Sequence, residues 1–258
     1  MKVPWHIVVA RRERLAHMLR EHSYLTLAEV CARLGVSEAT ARRDLAALEQ
    51  EQAITRTRGG AISEYNRRFP SFRDRLELGA ASKTRIALAA YEKIVPGQII
   101  WLDGGTTCYA LAQAIAARPL AELTIVTNNL PAAELLADHE PIVVHLLGGQ
   151  YFRRSSILLG GHAVEAVRAW RFNLAFLGAE GVTRAGLWNS VSDVVALQHA
   201  VLAAAEDAIF CVDAEKVGRE AEAFLLPLGE VRHLLTDASA EVLAHHQVKL
   251  SKKVLLAA

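Results

Sequence analysis

The sequence predicts an α/β protein in two parts: a small N-terminal winged helix-turn-helix domain, then a larger, mainly parallel α/β domain. Three observations predict it. Three short amphipathic helical patterns precede Gln50, with Gly35 between the second and third. Beyond residue 83, apolar runs such as QIIWL (98–102), LTIVT (123–127) and NLAFLG (173–178) alternate with helical segments, the pattern of a parallel sheet covered on both faces. Charge is also divided: within a chain of 258 residues and net charge +1, residues 1–70 hold 12 Lys/Arg and 8 Asp/Glu, and residues 71–258 hold 17 and 20. The basic part is the small part, which points to a polyanion as the partner of the first segment alone.

Length allows two domains with a sizeable core. No apolar run approaches the roughly 18–20 residues of a membrane span, so no membrane partner is expected. The opening MKVPWHIVVARR has an apolar patch but no small-residue cleavage site, so residues 1–10 are expected to be a disordered or optional leader. Cys31, Cys108 and Cys211 are dispersed without CxxC spacing. That argues for a reduced cytoplasmic protein and against a zinc site or a disulfide framework. Neither a metal nor a cofactor is expected.

The winged helix-turn-helix is expected over residues 11–63. Leu15, Met18 and Leu19 give Arg11–Arg20 an apolar face. Thr26 and Glu29 form a capping-box pattern for a second helix with Leu27, Val30, Cys31 and Leu34 inward, and Gly35 turns the chain out. Ser37 caps a third helix whose Ala41, Leu45 and Leu48 face the core. Ser37, Glu38, Ala39, Thr40, Arg42 and Arg43 are left at its exposed start and outer face. Small residues permit close approach to a groove, and arginine pairs with guanine edges or phosphate. The alternation in AITRTRGGAI then reads as a wing, with Arg56, Arg58 and Gly59 placed to meet backbone phosphate. An ordinary three-helix bundle with a solvated charged face is the alternative.

Residues 64–82, charged and containing Pro70, read as a connector with a short helix around Phe72–Leu78. The larger domain is expected over 83–258, its first helix capped by Ser82. Polar and glycine clusters stand at successive strand ends: Asp103-Gly104-Gly105-Thr106-Thr107, Thr127-Asn128-Asn129, Gly148-Gly149-Gln150, Gly178 to Gly181 with Glu180, and Asp213 to Lys216. Any one is a plain turn taken alone, but open α/β sheets bind ligands beyond these ends, where the five would converge. The DGGTT loop has the clearest chemistry. Gly104 and Gly105 let backbone approach an anion, Thr106 and Thr107 offer hydroxyls, and the next helix directs its N–H groups there. Lys83 and Lys216 are candidates to neutralise the charge. Neither GxxxxGK[ST] nor GxGxxG is present, which disfavours ATP and dinucleotides.

Arg11, Leu15 and Leu19, the run S-x-x-T-A-R-R-D-L from Ser37 to Leu45, and the GGA at Gly59–Ala61 together resemble the N-terminal domain of the DeoR family of bacterial transcriptional regulators. The larger part resembles that family's C-terminal sensor domain in K-x-x-I-A (Lys83, Ile86, Ala87), D-x-G-T-T, the TN after the next strand, LGG, FLGA-x-G, and D-x-x-K-x-G (Asp213, Lys216, Gly218). The resemblance covers roughly residues 11–240. It implies a sensor fold similar to ribose-5-phosphate isomerase, a double-stranded DNA operator, and a phosphorylated sugar or related metabolite as effector. It further implies repression of genes for using that compound. Two positions depart from the family pattern: Val194 to Gln198 replace an E-A-x-x-K run, and Glu180 replaces the Asp of GA-D-G. The lost lysine implies a less anionic effector or a different pose. Trp188 and Asn189 are candidates for specificity, with packing the other reading of Trp188.

A sugar-phosphate isomerase-like enzyme carrying a DNA-binding domain is the competing expectation. It needs a positioned general base; Asp103 or Glu180 could serve, but no second acid–base partner stands out. A scaffold with neither activity leaves the glycine clusters and the wing without a purpose. Because one helix-turn-helix offers few contacts, binding as a homodimer or homotetramer is expected.

Overall fold

The computed structural model describes residues 4–21, 25–51, 53–56, 60–63, 70–249 and 254–256. The chain divides into two compact units, Met1–Pro70 and Ser71–Ala258. Arg58, Gly59 and residues 64–69 of the expected connector lie outside the described residues.

In the first unit, α1 (Trp5–Glu21), α2 (Leu27–Leu34) and α3 (Glu38–Gln50) pack with β1 (Leu25–Thr26), β2 (Ile54–Arg56) and β3 (Gly60–Ser63). The strands form an antiparallel sheet in the order β1-β3-β2. Thr26 and Glu29 make the reciprocal capping box, Gly35 is left-handed at φ 64°, and Ser37 accepts from the Thr40 N–H. Leu15, Leu19, Val30, Ala41, Leu45 and Ile54 are buried in one core. The helix expected from Arg11 begins at Trp5, so residues 5–10 are its first turns rather than a disordered leader. The Pro4 carbonyl accepts from the N–H groups of Ile7 and Val8, and the Arg12 guanidinium lies 5.6 Å over the Trp5 ring. Both contacts favour continuing the helix toward its start.

Asp44 lies on the inward face of α3, 1% exposed. Its carboxylate accepts from Arg11 Nε at 2.6 Å, Arg11 Nη2 at 3.2 Å and Arg12 Nε at 3.1 Å. These bonds fix α3 against α1, and the Asp44 contact raises the Arg11 pKa.

The second unit begins with two helices, α4 (Phe72–Glu77) and α5 (Ala80–Tyr91). Ser82 does not cap α5: the helix starts after left-handed Gly79, and the Ser82 hydroxyl instead reaches Asp237 at 2.5 Å. Strands β4 (Ile99–Leu102), β5 (Thr124–Thr127) and β6 (Val143–Leu146) alternate with α6 (Thr106–Ala117) and α7 (Leu130–Ala137). A hairpin, β7 (Gln150–Phe152) and β8 (Ile157–Leu159), precedes α8 (Gly161–Val167) and β9 (Phe172–Gly178). Next come β10 (Gly181–Val182), β11 (Gly186–Asn189), α9 (Ser192–Ala204), β12 (Ala205–Cys211), β13 (Ala223–Pro227), β14 (His233–Thr236), α10 (Ala240–His245) and β15 (Val254–Leu256).

The main sheet is parallel throughout, in the order β15-β14-β12-β9-β4-β5-β6. Successive β4 residues bury opposite faces. Ile100 and Leu102 pack with Ile86 of α5, Leu111 of α6 and Leu136 of α7. Trp101 packs on the other side, in the cluster that holds Val167 of α8 and Val201 of α9. This double coverage explains why the strands read as unbroken apolar runs. Outside it, β10, β11 and β13 form a separate antiparallel sheet. Among the described residues no helix is long and apolar enough to cross a membrane.

Replacing Asp44 with alanine leaves two partly buried guanidinium groups without their anion. We expect the first unit to lose roughly 1–3 kcal/mol, read as a lower unfolding midpoint by calorimetry. An unchanged midpoint would show that these ion pairs contribute nothing to the unit.

Candidate functional site

The chain runs outward from β4 in both directions, through β5 and β6 on one side and β9, β12, β14 and β15 on the other. The crevice between the carboxyl ends of β4 and β9 is therefore the topological switch point, where such sheets take ligands. Asp103 follows β4 and Gly178 ends β9. The Asp103 Oδ2 accepts from the Gly178 N–H at 3.1 Å and from Gln198 Nε2 at 2.6 Å. Gln198 Nε2 also donates to the Gly178 carbonyl at 2.7 Å, and its Oε1 accepts from Asn189 Nδ2 at 2.9 Å. Asp103, Asn189 and Gln198 are all buried. Burial pushes the Asp103 pKa up to about 6, against the hydrogen bonds from Gly178, Gln198 and Gly104, which favour its anion.

Gln198, which stands where the family pattern has a lysine, is turned into this network. It is 0% exposed, and its amide occupies the Asp103 carboxylate. Trp188 donates from Nε1 to Thr183 Oγ1 at 3.1 Å and packs edge-on against Phe224, the arrangement of a packing residue.

The DGGTT loop is held from below. A Cβ on Gly104 would lie 2.8 Å from Ile157 Cγ2, and Gly105 adopts φ +91°, so both positions need glycine. Asn129 Nδ2 donates to the Gly105 carbonyl at 3.1 Å and the Asp103 carbonyl at 3.4 Å, while its Oδ1 caps α7 through the Ala132 N–H. Thr127 Oγ1 donates to the Leu102 carbonyl at 2.6 Å. Thr106 and Thr107 are buried in the first turn of α6, which no side chain caps. Asn128 Nδ2 donates to the Leu158 carbonyl, and its buried Oδ1, near Gly104, has no hydrogen-bond partner among the described residues.

A second group of charges adjoins Ala179. Lys216 Nζ donates to the Ala179 carbonyl at 2.9 Å and faces Glu180 Oε2 at 3.7 Å. Glu180 Oε1 faces Arg75 Nη1 at 3.4 Å. Lys83 is committed elsewhere: its buried ammonium donates to the Arg75 carbonyl at 2.5 Å and to the Leu78 carbonyl, tying down the end of α4. Burial lowers the Lys83 pKa; Lys216 and Arg75 add to this, while Asp213 and Glu180 oppose it. Gly148 and Gly149 leave edge strand β6, and a Cβ on Gly149 would meet the Leu159 carbonyl at 2.6 Å. That glycine serves the approach of the β7–β8 hairpin.

Arg75 and Gln198, neither assigned an effector contact from the sequence, thus meet the site, together with Asn129 of the TNN cluster and the specificity candidate Asn189. Asn129 stood in the TNN cluster and meets the carbonyls of Asp103 and Gly105 in the loop after β4, and Asn189 stood beside Trp188 and meets Gln198 of α9 and the Gly178 carbonyl. Arg75 had no signal of its own.

In the first unit, Ser37, Glu38, Ala39, Arg42 and Arg43 are exposed on α3 and Thr40 is half-buried. Ser37 Oγ and Thr40 Oγ1 lie 3.1 Å apart, and Arg42 pairs with Glu38 at 3.4 Å along the helix. Exposed Arg56 lies 3.8 Å from Glu49 at the end of α3. Among the described residues no group of three or more His, Cys, Asp or Glu side chains could hold a metal ion.

Comparison with known proteins matches residues 11–67 to the family model of the DeoR-like helix-turn-helix domain and residues 79–238 to that of the DeoR C terminal sensor domain. The HTH-type transcriptional repressor GlcR of Bacillus subtilis (strain 168) is 31% identical over 231 residues, 88% of each chain. The HTH-type transcriptional regulator YgbI of Escherichia coli (strain K12) is 32% identical over 90% of each chain. The HTH-type transcriptional regulator UlaR of Escherichia coli (strain K12 / DH10B) is 29% identical over 89% of this chain and 91% of its own. Among solved structures, ribose 5-phosphate isomerase A from Methanocaldococcus jannaschii superposes at TM-score 0.39 with 18% identity, covering 54% of this chain and 55% of its own.

The raised Asp103 pKa sets a direction for stability against pH. The folded chain holds this proton more tightly than the unfolded one, so the contribution is full below about pH 4 and lost as pH rises through about 6. Asp103→Asn keeps the acceptor oxygen and removes the titration. Between pH 4 and 7 the wild-type chain should lose up to about 3 kcal/mol relative to the variant in denaturant unfolding. A constant difference would mean that Asp103 titrates as an ordinary carboxylate.

Proposed function

The chain belongs to the DeoR family and is a DNA-binding transcriptional regulator, and from that premise we propose that it represses carbohydrate-utilisation genes until a phosphorylated sugar or related metabolite releases it from its operator. The observation that carries the effector half is the DGGTT loop. It joins a helix start free of any capping side chain to a switch-point crevice with Lys216 nearby. Aligned N–H groups and the helix dipole favour an anion at such a start. The name of the Bacillus subtilis relative, a repressor, supports the direction of control.

For DNA, we assign base contact to the start and outer face of α3, Ser37 to Arg43, and phosphate contact to the wing, with Arg56 and the sequence-assigned Arg58 and Gly59. The protein works in the cytoplasm as a homodimer or homotetramer, since one recognition helix per chain reaches one half-site. Asp103 argues against the isomerase reading. Its Oδ2 is already engaged by Gly178 and Gln198, which suits a carboxylate that orders a loop better than a base that must reach a substrate carbon.

Alanine at Arg42 or Arg43 should weaken operator binding by roughly 1–3 kcal/mol where the side chain reads a base. Equal operator affinity in both variants and the wild type, by gel shift at fixed salt, would remove the recognition-helix assignment. Thr106→Val should bind operator normally yet release poorly in a screen of phosphorylated sugars and polyols. Normal release would move the anion site away from the loop. Turnover of a pentose or hexose phosphate above roughly 1 s⁻¹ would favour the enzyme reading.

A further inference from the structure

We propose that Arg75 is an anion-binding residue brought to the effector site by α4, and that Glu180 is the built-in counterion which the effector's phosphate displaces. The inference deepens the sensor reading above and rests on it.

Backbone and side-chain contacts together hold α4 in place. The Phe72 N–H donates to the Arg154 carbonyl at 2.7 Å, and the Phe72 ring stands edge-on to Tyr109 of α6 with centroids 5.5 Å apart. Ser71 and Asp74 form a capping box, and Lys83 holds the Arg75 and Leu78 carbonyls. So anchored, Arg75 directs its guanidinium inward, with its side chain 12% exposed. There the Glu180 carboxylate faces it through Oε1 and faces Lys216 through Oε2.

Both contacts, at 3.4 and 3.7 Å, are longer than the roughly 2.7–2.9 Å of a tight charge-assisted hydrogen bond. One carboxylate thus spans two cations, with a long hydrogen bond from Arg75 and a looser ion pair to Lys216. A phosphomonoester carries up to two negative charges and three terminal oxygens, so it can serve both cations at shorter range. The arginine fork matches phosphate geometry. Lys83 is the poorer candidate, because its ammonium already serves two carbonyls. Glu180 also gives meaning to a departure from the family pattern. It is one methylene longer than the usual aspartate, and that length extends its reach toward Arg75.

The second unit begins at Ser71, and α4 is its first helix. An anion held by Arg75 therefore touches the element nearest in sequence to the DNA-binding unit.

The test is titration of the full-length chain with inorganic phosphate at constant ionic strength, with hydrogen exchange followed over residues 72–83. Arg75→Gln should weaken phosphate binding about tenfold, the loss of one charged hydrogen-bond pair. Glu180→Gln should strengthen it several-fold, a gain that misfolding cannot mimic. Phosphate should slow amide exchange across α4 in the wild type and not in Arg75→Gln. Wild-type phosphate affinity in Arg75→Gln, or no gain in Glu180→Gln, overturns the proposal. If Thr106→Val loses phosphate while Arg75→Gln retains it, the loop reading stands and this one falls. If the wild-type chain binds no phosphate, both fall.

Discussion

One buried carboxylate organises the second unit. Asp103 leaves β4 at the centre of the sheet, and its Oδ2 takes a backbone N–H from the end of β9 and an amide from α9. Through Gln198 the same network reaches Asn189 on β11, so the antiparallel sheet is tied to the parallel one. The glycines and threonines of the loop follow directly on this fixed residue. A buried charge is costly without a cation, and here neutral dipoles serve instead. A lysine at position 198 would cancel that charge. The amide orients the carboxylate and leaves its charge in place, so the crevice keeps a negative group whose protonation lies within reach of ordinary pH.

The first unit shows the same economy in a smaller space. Asp44 lies in the TARRDL run, immediately after two arginines that face solvent, yet it points inward to Arg11 and Arg12 of α1. The outer face of α3 is thus free for a partner while its inner face is locked. Helical spacing separates the two tasks: Arg42 and Arg43 lie on one side, Ala41, Asp44, Leu45 and Leu48 on the other.

Much of this was legible in the sequence. Thr26 with Glu29, Gly35 and Ser37 mark helix boundaries through local hydrogen bonds, which depend on near neighbours alone. The parallel strands announce themselves because both faces are buried. What stayed hidden depends on distant partners or on very short segments. Strands β1 and β10 have two residues each, too few for alternation to register. Lys83 reads as a free cation until the carbonyls of α4 are in place beside it. Gln198 reads as a loss against the family pattern, because a sequence records the missing ammonium and not the amide's new bonds. The early start of α1 was hidden by its first residues, which look like a loose apolar leader until Trp5 is set beneath Arg12.

The pairing of Glu180 with Arg75 and Lys216 also bears on sensitivity. A carboxylate tethered beside two cations is a competitor that dilution never removes. If an effector phosphate displaces it as proposed, that anion must outbid it, so the concentration giving half-occupancy would lie above the value bare cations would set. Such a receptor ignores traces and answers to accumulation. On that proposal the threshold depends on the length of one side chain, and a single methylene at position 180 would retune it.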